Sequence, residues 1–200
     1  MLVFSKAPLP GTVKTRLHDE LSADEAACLY RELLERTLLT VTDNAPWPTQ
    51  LWCTPATDDP CFMECRDKYH VKLHRQSGGD IGDRMYAAIA ANLADYRSVL
   101  LVGCDCPGLQ QADLVTAQHK LADGYDAVLG PAEDGGYYLI GVNTVYREMF
   151  TGIRWGTESV LEETRHRLRD LRLKYHELPV RWDLDDVEDL KRYLKVRSAV

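Results

Sequence analysis

Apolar positions along this chain follow two alternating periods. Strand-length apolar runs at 1–5, 49–54, 71–75, 98–103 and 127–130 are separated by stretches in which apolar residues recur every three or four positions. The clearest helical stretch carries Ala26, Leu29, Tyr30, Leu33, Leu34, Thr37, Leu38 and Val41 on one face. It is preceded by Ser22-Ala-Asp-Glu25, a capping box that marks a helix start. Further helices are expected at 59–69, 83–95, 111–121, 158–169 and 186–196. The run at 98–103 is apolar without alternation, as in a central strand buried on both faces. The rhythm breaks after Gly130: a strand at 137–142 follows its predecessor with no helix between, and another is expected at 171–178. This order predicts an α/β fold with a doubly wound, mostly parallel mixed sheet, and one domain over residues 1–200.

Composition narrows the classes of function. The formal net charge is -7, from 24 Lys+Arg against 31 Asp+Glu, which argues against nucleic acid as a partner. No apolar run approaches the ~20 residues that span a bilayer. Lys6, Pro8 and Pro10 interrupt the N-terminal apolar run, so no signal peptide is read there and a cytoplasmic location is expected. The six cysteines are expected to be free thiols. Cys61 and Cys65 share a helix face, but no second Cys/His pair stands at zinc spacing nearby. Cys104 and Cys106 read as small residues beside a ligand pocket.

The first strand empties into Lys6-Ala-Pro-Leu-Pro10-Gly11-Thr-Val-Lys14-Thr-Arg16-Leu17. Prolines fix φ and Gly11 allows close backbone approach, while Lys6, Lys14 and Arg16 can neutralise a diphosphate. The loop lacks the Gly-Lys-Ser/Thr of a P-loop and the three glycines of a dinucleotide fingerprint. No Gly-x-Ser-x-Gly elbow occurs, so serine hydrolysis has no support.

Three acidic constellations follow. Asp105 ends the 98–103 strand, before Pro107 and Gly108, where a hard cation such as Mg²⁺ or Mn²⁺ takes carboxylate and phosphate oxygens. Glu133 and Asp134 stand before Gly135, Gly136, Tyr137 and Tyr138, which suits both an Asp-Gly hairpin turn and a ligand wall. In Trp182-Asp183-Leu-Asp185-Asp186, strand-like alternation puts Asp183 and Asp185 on one side, leaving Asp186 to cap the last helix. Gly82 and Arg84 end a glycine-rich stretch read as a nucleotide loop. Trp155 reads as an aromatic anchor at a helix start.

Taken in order, Lys6-x-Pro8-x-Pro10-Gly11-x-x-Lys14-Thr15-Arg16-Leu17, Gly103-x-Asp105-Cys106-Pro107, Gly130-Pro131-x-x-Asp134-Gly135-Gly136-Tyr137-Tyr138 and Asp183-x-Asp185-x-x-x-Asp189-Leu190 resemble small bacterial glycosyltransferase-A-like proteins of the arsenosugar-biosynthesis type. These are similar in turn to nucleotidyltransferases that activate molybdopterin, phospholactate or sugar phosphates. The resemblance covers about residues 3–195 and implies a nucleotide-diphospho-sugar transferase fold. It implies Lys6, Lys14 and Arg16 on the donor diphosphate, Asp105 with Asp183 or Asp185 on Mg²⁺ or Mn²⁺, and Asp134 facing the acceptor. Beside these, the residues themselves are read as placing Pro10, Gly11, Gly82 and Arg84 at the nucleotide, Asp134 and Glu133 as catalytic carboxylates, and Gly135, Gly136 and Tyr137 at the acceptor. Two positions depart from the pattern: the Asp-x-Asp of glycosyltransferases is reduced to Cys104-Asp105-Cys106, and a Pro-Gly loop replaces the Arg-Met-Gly loop of nucleotidyltransferases. The expected activity is metal-dependent sugar transfer from a nucleotide sugar to a small acceptor. The alternatives are nucleotidyl transfer with pyrophosphate release, and nucleotide binding without catalysis.

Overall fold

The computed structural model describes residues 1–197, so the expected domain end at 200 lies outside the described residues. Seven strands form one sheet: β1 (Leu2–Lys6), β2 (Gln50–Thr54), β3 (Lys72–Arg75), β4 (Val99–Val102), β5 (Ala127–Pro131), β6 (Tyr137–Val142) and β7 (Tyr175–Glu177), in the order β3-β2-β1-β4-β6-β5-β7. Pairing is parallel except along β6, which runs antiparallel to both β4 and β5. The missing helix after Gly130 is the cause: β5 and β6 form a hairpin, so β6 must reverse direction.

Six α-helices cover the sheet: α1 (Ala23–Thr42), α2 (Pro60–Tyr69), α3 (Ile81–Leu93), α4 (Gln111–Ala122), α5 (Val160–Asp170) and α6 (Val187–Arg197). On one face, Val3, Leu100, Val102 and Val128 pack with residues of α1, α2 and α4. On the other, Leu2, Phe4, Leu101 and Leu129 pack with α3 and α5. Successive residues of β1 and β4 thus enter opposite cores, which is why these strands are apolar throughout. A third cluster joins Leu29 and Leu33 of α1 to Leu190 and Tyr193 of α6, with Leu17 and Leu184 between them.

The capping box forms as expected, with the Ser22 hydroxyl accepting from the Glu25 N–H and Glu25 accepting from the Ser22 N–H. Two expected boundaries are corrected. Helix α3 starts at Ile81 rather than 83, because the Asp80 carboxylate caps it by accepting the Asp83 N–H at 2.8 Å. The strand expected over 171–178 is confined to Tyr175–Glu177. Residues just before it close the end of α5: Arg172 is left-handed (φ 56°) and the Leu173 N–H returns to the Leu168 carbonyl at 2.9 Å. Cys61 and Cys65 both lie on α2, buried in the core. Among the described residues no helix is long and apolar enough to cross a membrane.

Candidate active site

The chain turns left along the sheet after β1, to β2 and β3, and the opposite way after β4. In an open α/β sheet that change of direction opens a crevice at the carboxyl ends of the two strands. Both Lys6 and Asp105 emerge there. The Lys6 N–H donates to the Tyr30 hydroxyl of α1 at 3.0 Å, and the Cys104 thiol donates to the same oxygen at 3.0 Å. One tyrosine therefore ties the ends of β1 and β4 to a helix. Burial pushes the Cys104 thiol up to about 12, so it stays a neutral donor.

The basic loop is anchored by buried Ala7, Val13 and Leu17. Between them Gly11 takes φ 78°, and Lys14 takes a left-handed backbone (φ 49°, ψ 38°) before a short helical turn at Thr15–Leu17. That conformation folds the Lys14 side chain inward until it is only 5% exposed. Its ammonium pairs with Asp105 and with Asp185 Oδ1 (3.1 Å), while Arg16 approaches Asp185 at 4.0 Å. Burial works against the ammonium charge, but the two carboxylates outweigh it and lift Lys14 above the ordinary lysine value. Lys6, Thr12, Thr15 and Arg16 complete a polar cleft of about 200 Å³ around this pair.

The second group of acids arrives on an extended segment pinned by the Leu184 N–H, which donates to the Asp105 carbonyl at 2.8 Å. Leu184 is buried, while Asp183 and Asp185 turn the other way. Asp186 accepts the Glu188 and Asp189 N–H groups at 2.9 and 3.0 Å, which caps α6. Burial, and then the charges of Asp134, Asp105 and Asp185, push the Asp183 carboxyl up to about 7. Asp134 comes from the β5–β6 turn, oriented by the Gly136 N–H on its Oδ1 at 2.8 Å.

Beside the basic cleft, and sharing Arg16 and Asp185 with it, lies a cavity of about 390 Å³. Its lining includes Asp134 and Asp183, and also Tyr137 and Trp155, whose rings meet edge-on with centroids 6.5 Å apart.

The model of the DUF2064 family, described as an uncharacterized protein conserved in bacteria, matches residues 37–157. The chain belongs to this family. It is similar to a crystal structure from Desulfovibrio desulfuricans G20 described as a "putative nucleotide-diphospho-sugar transferase", with 34% identity, a TM-score of 0.88, and coverage of 98% of this chain and 85% of that one. A cytidylyltransferase from Leptospira borgpetersenii shares the fold at 15% identity and TM-score 0.66, covering 100% of this chain and 86% of its own. So does glucosyl-3-phosphoglycerate synthase from Mycobacterium tuberculosis, in a complex with Mn²⁺ and UDP, at 12% identity and TM-score 0.56, covering 96% and 74%. None of the curated proteins matches. The fold is that of nucleotide-diphospho-sugar transferases and nucleotidyltransferases.

In this DUF2064 chain the residues expected at the site separate into four groups. Lys6, Lys14, Arg16, Asp105 and Asp185 line one cleft, and Asp134, Gly136, Tyr137 and Asp183 line the adjoining cavity. Pro10 and Gly11 stay exposed on the outside of the basic loop, shaping it without lining the cleft. The remainder are held elsewhere. Glu133 is paired with Arg192 of α6 at 2.8 Å, away from the cavity. Gly82 lies within α3, covered by the Trp155 ring, and Arg84 turns back to the Gly79 carbonyl at 3.3 Å, towards a separate groove with Pro55 and Arg75. Gly135 lies under the backbone of Glu158, where a Cβ would come within 2.1 Å of a carbonyl oxygen.

Contributors that escaped the sequence reading include three with distinct parts. Trp155 is a cavity wall as well as an anchor, Phe4 reaches the cavity from β1, and Tyr30 joins the two strand ends. Only the last had a visible signal, a hydroxyl placed within an apolar helical stripe.

Proposed function

We propose that this chain is a transferase acting on a nucleotide sugar and a small acceptor. The observation that carries the reading is the junction of two unlike compartments at Asp185 and Arg16: a basic cleft suited to a diphosphate, and a cavity suited to a second molecule. The 34% identical relative described as a nucleotide-diphospho-sugar transferase supports it.

Lys6, Lys14 and Arg16 would bind the donor diphosphate, and their charge would stabilise the leaving group as its negative charge develops. The acceptor hydroxyl attacks the anomeric carbon, the bond from that carbon to the diphosphate oxygen breaks, and its electron pair leaves with the nucleoside diphosphate. Asp134 would take the hydroxyl proton.

The donor set suits a hard divalent ion. Asp105 and Asp185 offer carboxylate oxygens, and their side chains stay 42% and 39% exposed, open to further oxygens from a ligand. Among the described residues no three His, Cys, Asp or Glu side chains come together so as to hold a metal ion by themselves. An ion here would thus rest on Asp105 and Asp185, with Asp183 beside them, and on phosphate oxygens. When bound, Mg²⁺ or Mn²⁺ supplies Lewis-acid neutralisation of the leaving diphosphate.

The test is a thermal-shift panel of nucleotide sugars, nucleoside diphosphates and nucleoside triphosphates, each with and without Mn²⁺. One nucleotide sugar and its diphosphate should raise the midpoint, more so with Mn²⁺. Stabilisation by a triphosphate alone would move the assignment to nucleotidyl transfer. The Asp105→Asn variant should lose most turnover while keeping its fold by circular dichroism; unchanged turnover would remove Asp105 from the metal role.

A further inference from the structure

The two compartments differ in charge as well as shape. Lys6, Lys14 and Arg16 line the cleft, whereas the cavity is lined by Asp134, Glu158, Asp183 and Asp185, with Arg16 as the basic side chain among its described lining residues. Asp185 is paired with Lys14, so the charges a phosphoryl group would meet are those of Asp134 and Glu158, and like charges at short range cost rather than gain Coulomb energy.

The interior is apolar. Phe4 of β1, Leu101 of β4, Met85 of α3 and Val160 of α5 line it together with Tyr137 and Trp155. The aromatic corner is built rather than adaptable. The Trp155 ring lies against the α-carbon of Gly82, where even a methyl group would come within 2.6 Å of it, and Tyr137 meets the indole edge-on. The volume, about 390 Å³, falls in the range of small-molecule sites.

We infer that the acceptor is an uncharged, hydroxyl-bearing molecule with an aromatic or otherwise apolar face, and that phosphorylated acceptors are excluded. This rests on the transferase reading above and names the class of its second substrate. The apolar face packs between Trp155, Tyr137 and Met85, and the hydroxyl edge turns to the lining carboxylates, which accept its hydrogen bonds.

The experiment is isothermal titration of the full chain without any nucleotide, using 4-nitrophenyl β-glucoside, 4-nitrophenyl phosphate and glucose 6-phosphate as probes. The neutral glycoside should bind at least tenfold tighter than either phosphate at the cavity. Trp155→Ala should weaken it tenfold or more, and Val160→Phe, which fills the cavity from a different element, should do the same if Trp155→Ala does not fold. Glu158→Gln should narrow the gap between neutral and phosphorylated probes. Phosphate binding that ignores Trp155→Ala and Val160→Phe belongs to the basic cleft and leaves the inference standing. Phosphate binding as tight as the glycoside and equally sensitive to those variants overturns it, as does failure of the glycoside to bind. Because no donor is present, these outcomes do not depend on whether sugar transfer occurs.

Discussion

Lys14 shows how one residue sets the site. A lysine in the left-handed region costs on the order of 1–3 kcal/mol, and such strain persists only where its surroundings over-determine it. Here the buried ammonium between Asp105 and Asp185 provides that hold. Replacing Lys14 with Met removes the cation that a diphosphate needs and leaves two carboxylates facing each other. Turnover should fall on the order of 10²–10³-fold, as when one charge-stabilising donor is lost. The same variant should gain more thermal stability from Mn²⁺ than the native chain does, because the ion no longer competes with an ammonium for the carboxylates. Equal Mn²⁺ effects in a scan of both proteins would contradict that competition. The basic character of Lys14 is legible in the sequence, as is the acidity of Asp105 and Asp185. Their pairing is not, because the three stand on segments far apart in the chain and meet only through the strand order.

At the scale of elements, local chemistry was legible where it is self-contained. The Ser22 capping box starts α1 as its residues require, and Ser22→Ala should cost about 1 kcal/mol in urea unfolding. The Asp-Gly turn joins β5 to β6 as that dipeptide requires, and it carries Asp134. Contacts between elements were not legible. Gly82 looks like loop flexibility in the sequence, yet it sits in α3 because Trp155, from the segment before α5, needs the space a side chain would fill. Gly82→Ala should therefore destabilise by about 1–3 kcal/mol through displacement of a rigid ring. It should also weaken acceptor binding while sparing nucleotide binding. A neutral effect in urea titration would show that the indole is free to move. Glu133 is a parallel case: its acidity is plain in the sequence, but its partner Arg192 lies on the last helix.

Over the whole molecule, the alternation of strands and helices gave the fold class, and the missing helix after Gly130 gave the mixed sheet. Strand order was not encoded in any local pattern; it arises from which faces each helix can bury. That order places the crevice between β1 and β4 and so decides which polar residues converge. Stability and site occupy different parts of the sheet. Phe62, fully buried on α2, lines neither compartment. Phe62→Ala should lose about 3–5 kcal/mol in denaturant unfolding, while the folded fraction keeps its affinity for nucleotide. A large change in that affinity would show that the half of the sheet bearing α2 also shapes the cleft.

Transfer of a sugar from a nucleotide donor across the junction of the two compartments can be read by phosphorus NMR of the products when the full chain is incubated with Mn²⁺, a neutral aromatic glycoside, and either the stabilising nucleotide sugar or the matching nucleoside triphosphate. Nucleoside diphosphate should be released from the nucleotide sugar only when the acceptor is present, and Asp105→Asn should abolish it. Pyrophosphate released from the triphosphate, with the nucleotide sugar left intact, would contradict sugar transfer.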